Sequence, residues 1–291
     1  MATRTLPGIR VAEQVSRREI PRRLPRNLQF WIGVSIVSTA VVLSILAPLL
    51  APYDPLAQDI YARWTGPTSA HWLGQDEFGR DILSRILYGG RITLMTAMAA
   101  VVISVGFGSV IGAVAAYTRG WVDAVIMRIL DVQMAYPGIL LAIVFIVTLG
   151  PSQRSVIIAL GIGGIPHFAR LVRGWVYREL AMDYVLAARS IGQNPVAILF
   201  KHVRLNVFGQ ILVHASFAVS GAMVAEASLS FLGLGVDPSQ PSWGRMLSNG
   251  TQIIYVAPHI AIVPIVVLSV VILGWLLVGE GSRVWLDPRR N

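Results

Sequence analysis

The chain contains no cysteine among its 291 residues and only one lysine, Lys201. Without cysteine, disulfide bonds and thiolate metal sites are excluded. Charged residues make up 13% of the sequence, whereas a soluble globular domain has roughly 25%. Hydrophobic residues make up 55%, and the mean hydropathy is +0.65. This combination is typical of a protein embedded in a lipid bilayer.

The sequence also lacks the short motifs of the common enzyme classes. It has no HExxH, no GxSxG and no Walker A pattern, and no pair of aspartates within apolar runs. The glycine-rich stretch at residues 161–168 lacks the strand–turn–helix context that a phosphate-binding loop needs. We therefore expect no catalytic residue, no bound cofactor and no ATP hydrolysis by this chain itself.

Six apolar runs have the composition of transmembrane helices, which need about 20 residues to cross the hydrocarbon layer. The fourth run is short and becomes long enough only if Arg170 and Arg173 lie at the membrane interface. The predicted spans are residues 30–51, 92–117, 132–149, 155–169, 207–225 and 260–279. The predicted fold class is an all-α polytopic membrane protein with six transmembrane helices.

The spans divide the chain into five regions: a basic tail at residues 1–29, the first transmembrane helix at 30–51, an extracytoplasmic segment at 52–91, a five-helix core at 92–281, and a C-terminal segment at 282–291. With both termini in the cytoplasm, seventeen basic residues fall on the inside and six on the outside, as the positive-inside rule requires.

The tail is too long and too rich in arginine for a cleaved signal peptide. Although the net charge is +9, no aromatic-interleaved basic surface indicates nucleic acid as a partner.

Small residues recur every four positions along the second predicted span. This spacing places them on one helix face, where another helix backbone can approach closely. The stripe predicts a packing seam to another span or to a partner, although small residues also occur by chance in membrane helices. Its members are Ala100, Ser104, Gly108, Gly112 and Ala116.

The extracytoplasmic segment holds His71, Asp76, Glu77 and Asp81 close together in sequence. Their spacing is irregular around two glycines, which is a weak pattern for metal ligation. A turn followed by a short amphipathic helix explains the same residues, with Asp81 as the N-cap. We therefore expect no metal site here.

Charged residues inside apolar runs are further candidates for function. A carboxylate at bilayer depth costs about 2.5–3.5 kcal/mol. Glu226, at the end of the fifth predicted span, is therefore expected either at the interface or lining a polar pathway. His214 lies in the same run and either bonds to a neighbouring helix or lines the pathway with Glu226. Arg128 and Asp131, three residues apart, are predicted to pair locally.

A moderately charged segment, residues 181–206, separates the fourth and fifth predicted spans. Its first half has a partly apolar face and ends at Gly192, a residue suited to the position after a helix. Asn194 and Pro195 then predict the N-cap and first residue of a second helix, with Lys201, His202 and Arg204 towards its C-terminus. The segment is either a lever for a soluble partner or an amphipathic linker on the lipid surface.

The sequence AARSIG at residues 187–192, followed by His202 and Asn206, resembles the EAA loop of ABC importer permeases. Further blocks, in the same order as in that family, resemble the C-type permease of the dipeptide, oligopeptide and nickel importers. They lie at residues 71–94, 136–143, 169–174, 225–236, 241–247 and 286–289. The resemblance covers nearly the whole chain beyond the basic tail.

The resemblance implies a permease of the prokaryotic plasma membrane with a cytoplasmic coupling helix–turn–helix, importing di- or oligopeptides. Its implied partners are a homologous second permease, two ATPase subunits that bind ATP and Mg²⁺, an extracytoplasmic substrate-binding protein and membrane lipid. The positions matching the coupling motif are Ala187, Ala188, Arg189, Gly192, His202 and Asn206, and Asp183, one helical turn before the altered position 186, is the candidate substitute for its carboxylate. Two positions depart from the family pattern, because Leu186 replaces the usual glutamate and Leu205 the usual proline.

Two other functions fit the same composition. A proton-coupled secondary transporter would use Glu226 and His214 as a proton relay. A non-transporting scaffold would use the 181–206 segment only to recruit a soluble protein.

Overall fold

The computed structural model describes residues 26–285 apart from positions 236 and 238, and within this part it describes all side chains except those at 26, 27, 195, 196, 200, 284 and 285. Residues 1–25, which are most of the basic tail, and the last six residues lie outside the described part. Helices make up the fold, with no β-strand among the described residues. They are α1 (Arg26–Ile45), α2 (Ala47–Leu50), α3 (Ile82–Thr118), α4 (Gly120–Met134), α5 (Gly138–Leu149), α6 (Gln153–Glu179), α7 (Asp183–Ser190), α8 (Pro195–Ile198), α9 (Arg204–Phe231), α10 (Trp243–Gln252) and α11 (His259–Trp285), with a 3₁₀ turn at Ile60–Ala62 and a π-helical segment at Leu199–Val203.

The long apolar helices confirm the all-α polytopic fold class. In the described part of the chain, five helical stretches are long and apolar enough to cross a membrane, and the bent pair α4–α5 brings the number to six when it is counted as one span. The five contain α1, α3, α6, α9 and α11.

Three local expectations are wrong. The run at residues 132–149 is not one straight span, because α4 and α5 meet at 84°. The amphipathic stretch after Asp81 is not a separate helix, since α3 runs from Ile82 without interruption through the second predicted span. The short link expected at residues 118–123, between the second and third spans, shrinks to Arg119, which has a positive φ of 54°.

The break between α4 and α5 follows from the sequence Tyr136–Pro137–Gly138. Proline disfavours the α conformation in the residue before it and has no amide hydrogen to continue the helix. Pro137 has an extended ψ of 127° and acts as the N-cap residue of α5. Its carbonyl accepts from the amides of Leu140 and Leu141, so α5 starts again in a new direction.

A second proline, Pro166, lies inside α6 and removes the amide that would bond to the carbonyl of Ile162. The side chain of Gln133 on α4 donates to this carbonyl at 2.8 Å. One residue earlier, Ser104 on α3 donates to the carbonyl of Gly161, also at 2.8 Å. Because a bilayer core offers no water, the side chain of Gln133 replaces the lost donor of Ile162, and Ser104 adds a bond between α3 and α6 one residue earlier.

The small-residue stripe of α3 packs against α6, which confirms the predicted seam and identifies its partner as another span of the same chain. A Cβ at Gly108 would lie 2.6 Å from the Cβ of Phe168, and a Cβ at Gly112 would overlap the carbonyl oxygen of Ala169. All five stripe residues are buried. The two backbones therefore approach as closely as glycine allows.

The two ends of the bundle are organised differently. At one end α10 packs across α3, where buried Trp243 donates from Nε1 to the carbonyl of Ile86 at 2.9 Å. The start of α1 meets the end of α11, with Phe30 against Gly281. At the other end of α3 and α6, buried Val185 and Ala188 of α7 belong to the same apolar cluster as Val172 and Val176 of α6. The 181–206 segment and the α10 region thus lie at opposite ends.

Replacing Gly112 by alanine is expected to destabilise the protein by about 1–3 kcal/mol, because the added methyl meets backbone atoms that cannot move aside. Gly106 lies on the same helix with nothing within 4 Å of its Cβ position. Gly106→Ala is therefore the matched control and should leave stability unchanged. Thermal unfolding in detergent compares the two, and equal melting temperatures for both variants would contradict the seam.

Gln133→Leu is expected to cost about 0.6–2 kcal/mol, the range measured for hydrogen bonds between membrane helices, because the carbonyl of Ile162 loses its donor. Pro166→Ala returns a backbone amide to the same carbonyl. The cost of Gln133→Leu should therefore shrink in the Pro166→Ala background. A double-mutant cycle on unfolding free energy measures this, and additive effects would show that Gln133 does not serve that carbonyl.

Candidate functional site

The α7 helix is anchored by one face and exposed on the other. Val185 and Ala188 are 0% and 8% exposed and pack with Val176, Ile198 and Val203 from the flanking elements. The opposite face is exposed to solvent. It carries Ala187 and Arg189 of the coupling motif, Leu186 at its altered position and the candidate substitute Asp183. Ala188, also in the motif, faces the protein interior instead.

Gly192 ends α7 as the sequence predicts. Its φ is +75°, a conformation that favours glycine. Its amide donates to the carbonyl of Arg189 at 3.0 Å, and the amide of Gln193 donates to that of Ala188 at 3.1 Å. These two bonds form a Schellman motif. A Cβ at Gly192 would meet nothing within 4 Å, so the backbone conformation alone explains the glycine.

The second helix of the 181–206 segment begins at Pro195, as predicted, but it does not end within the segment. It continues from α8 through the π-helical segment into α9 and stops at Phe231. The chain contains no proline between Pro195 and that point, so nothing interrupts the backbone bonds. The expectation that Lys201, His202 and Arg204 lie near a helix C-terminus is therefore wrong. They lie in the π-helical segment and at the start of α9.

A hydrogen-bonded cluster joins three helix ends beside α7. The carboxylate of Glu179, the last residue of α6, accepts from Tyr184 Oη at 2.6 Å and from Asn206 Nδ2 at 3.1 Å, both at Oε2. Asn206 also donates to Tyr184 Oη at 3.0 Å. The ring of His202 lies 6.2 Å from that of Tyr184. Burial and the bond to Glu179 raise the pKa of Tyr184 to about 12, so the phenol keeps its proton at neutral pH.

Sequence reasoning identified Asn206 and His202 but missed Glu179 and Tyr184. The three members of the cluster are separated by 5 and 22 residues, so no helical spacing relates them. The available signal was their position, since Tyr184 and Asn206 lie near the two ends of the predicted 181–206 segment and Glu179 lies just before it.

Charged residues of α6 also bind α4 close to α7. Arg173 makes a two-pronged contact with Asp123, with both N–O distances at 2.5 Å, and Tyr177 donates to the same carboxylate at 3.2 Å. Arg170 pairs with Asp131. The predicted local pair of Arg128 and Asp131 is therefore wrong, because Asp131 faces the neighbouring helix. These bonds attach the first half of the bent span to α6.

Glu226 and His214 lie on one helix but are not brought together. Twelve residues of α-helix separate them by roughly 18 Å. Glu226 is 1% exposed and accepts from Ser230 Oγ at 2.7 Å, so in this chain it is enclosed by protein. The ring of His214 packs against Trp175, with its Nδ1 3.0 Å from the carbonyl of Gln210. A direct proton relay between them has no support in this geometry.

The polar residues of the extracytoplasmic segment bind to one another and to the helices. Asp81 accepts from the amide of Ser84 at 2.7 Å, which confirms the N-cap, and lies 2.9 Å from Nδ1 of His71. Asp76 pairs with Arg80 at 2.7 Å. Glu77 accepts from Asn249 of α10 at 2.6 Å. Arg80 also reaches Glu77 at 2.9 Å, so one arginine bridges the two neighbouring carboxylates. The described residues contain no group of three or more His, Cys, Asp or Glu able to hold a metal ion.

Comparison with known proteins covers nearly the whole chain. Residues 108–290 match the family described as binding-protein-dependent transport system inner membrane component, and residues 17–67 match the N-terminal transmembrane domain of oligopeptide transport permease C. The chain is 40% identical to the glutathione transport system permease protein GsiD of Pectobacterium atrosepticum, over 98% of this chain and 95% of that protein.

Two further relatives agree with this match. The dipeptide transport system permease protein DppC of Alkalihalophilus pseudofirmus is 37% identical over 94% of this chain and 90% of its own. The glutathione permease GsiD of Escherichia coli O157:H7 is 39% identical over 93% and 90%. With this coverage and the helical bundle described above, the chain belongs to the inner-membrane permeases of binding-protein-dependent ABC importers, in the oligopeptide/dipeptide family.

Proposed function

We propose that this permease imports di- or oligopeptides, glutathione included, and that ATP-driven motion enters it through α7 and the Gly192 turn. The observation that carries the second part is the two-sided character of α7. One face is fixed to the ends of α6 and α9 by buried Val185 and Ala188, and the other is exposed and bears Asp183, Leu186 and Arg189. The names of the relatives support the peptide part.

The complete importer consists of this chain, a homologous second permease, two ATPase subunits that bind ATP and Mg²⁺, and an extracytoplasmic substrate-binding protein. This chain forms half of the pathway and contributes no catalytic residue and no cofactor. The bent span carries exposed apolar side chains that lipid or the second permease would cover. They include Trp121, Val125, Ile129, Ile139, Val144 and Val147.

The α7 end of the bundle faces the cytoplasm in this proposal, together with both termini. The distribution of basic residues supports this orientation, as does the contact of Phe30 near the start of α1 with Gly281 near the end of α11. The extracytoplasmic segment and α10 then face the substrate-binding protein.

The transport step follows from how α7 is held. When the ATPase subunits close, they push on the exposed face of α7. Because its buried face is packed against the flanking elements, α6 and α9 move with it, and the Asp123–Arg173 contact carries α4 along. Access to the pathway then switches by rigid-body motion of these helices.

Leu186 makes the ATPase contact partly apolar. It is 49% exposed on α7, and Met182 and Ile191 nearby are 40% and 76% exposed. Asp183 and Arg189 flank this patch and supply the charges. A matching ATPase groove would therefore combine an apolar pocket for Leu186 with polar groups at its rim.

The substrate class is tested with the purified complex in proteoliposomes. Dipeptides, longer peptides, glutathione and nickel complexes are presented by the native binding protein, and stimulation of ATP hydrolysis is measured. Peptide-dependent stimulation supports the proposal. Stimulation by a nickel complex alone would contradict the peptide part.

Arg189→Glu and Gly192→Pro are both expected to uncouple ATP hydrolysis from uptake while the complex still assembles. The first reverses an exposed charge on α7. The second removes the amide that donates to Arg189 and forbids the positive φ of the turn. Uptake should fall about tenfold or more. It is measured together with ATPase activity and copurification of the subunits.

The matched control is Arg283→Glu, which reverses an exposed charge at the end of α11, outside the 181–206 segment. It should transport normally. Normal uptake by both α7 variants would rule out α7 as the point where motion enters.

A further inference from the structure

We infer that Glu179 is a positioning residue of the transport cycle, whose carboxylate locks the first turn of α7 to the ends of two transmembrane helices. The inference rests on the proposed entry of motion through α7. It adds Glu179 and Tyr184, which lie outside the coupling motif and, together with Asn206 of the motif, hold α7 at its start.

The geometry places one acceptor between two donors on different elements. Glu179 is the last residue of α6, Tyr184 the second of α7 and Asn206 the third of α9. Both donors reach the same oxygen, at 2.6 and 3.1 Å, and the bond from Asn206 to Tyr184 at 3.0 Å closes a triangle. Hydrogen bonds to a carboxylate are roughly twice as strong as those between neutral groups.

The apolar contacts of α7 cannot hold the helix in a fixed position by themselves. Only Val185 and Ala188 of its eight residues are buried, and two side chains on one face allow the helix to roll or slide. The Gly192 turn fixes the end of α7. The cluster fixes its beginning, so a push on the helix moves α6 and α9 instead of rotating α7 in place.

The cluster is partly exposed, with Tyr184 39% exposed. Exposed polar contacts contribute little to folding, and the buried residues beneath them remain when the cluster is removed. Variants of Glu179 should therefore fold and assemble, and their defect should be in coupling.

The test uses the complete importer in proteoliposomes and measures substrate transported per ATP hydrolysed. Glu179→Ala should lower this ratio about fivefold, with normal copurification of the subunits. Glu179→Gln, which keeps an acceptor oxygen, should restore part of it. Tyr184→Phe removes one donor and should give a smaller loss, and combining it with Glu179→Ala should add nothing further.

The matched control is Gln210→Ala. It removes the bond of Arg178 Nη2 to Gln210 Oε1 at 3.3 Å, which joins α6 to α9 without touching α7, and it should keep the normal ratio of transport to ATP hydrolysis.

A normal ratio in Glu179→Ala, with Arg189→Glu uncoupled, would overturn the inference and leave the proposed function standing. Normal ratios in both would overturn the proposed function as well. If Glu179→Ala does not assemble, a normal ratio in both Glu179→Gln and Tyr184→Phe overturns the inference.

Discussion

A backbone carbonyl that loses its helical donor inside a bilayer has no water to replace it, and the interior of this bundle is arranged around one such group. Pro166 removes the donor to Ile162, and Gln133 supplies another from α4. This bond sets where the first half of the bent span lies on α6. The bend itself can then occur at Pro137 while α4 stays attached to α6. Pro137 thus creates the change of direction, and the bond that compensates for Pro166 fixes the position of α4.

The same helix α6 organises the functional end of the molecule. Its middle is pressed against the glycines of α3, its later turns bind α4 through Arg170 and Arg173, and its last residue, Glu179, contacts α7 and α9. Motion that reaches α6 therefore reaches α3 and α4 as well. The contacts range from close backbone packing in the seam to a few exposed polar bonds at α7, so the stiffness of the structure decreases towards the surface that a partner would touch.

The sequence predicted features whose cause is local. Helix length and apolar composition indicated the spans, spacing by four indicated the seam, and single residues indicated the cap at Asp81 and the turn at Gly192. It failed where the cause lies on another element. Asp131 pairs with Arg170 across helices instead of with Arg128 on its own, and no periodicity relates Glu179 to Asn206. The sequence did not predict the bend at Pro137, because the run at residues 132–149 is apolar on both sides of the proline and was interpreted as one span.

The replacement of the motif glutamate by Leu186 becomes understandable from the position of the other charges. An exposed leucine on α7 cannot make an ion pair, but Asp183 lies within one turn, and Glu179 bonds to the adjacent Tyr184. Carboxylates thus remain at the start of α7 although the motif position has lost its own. One of them faces solvent and the other faces the spans. In the proposed coupling, Asp183 supplies the charge towards the ATPase and Glu179 holds the helix in place, so a leucine at position 186 is compatible with both roles.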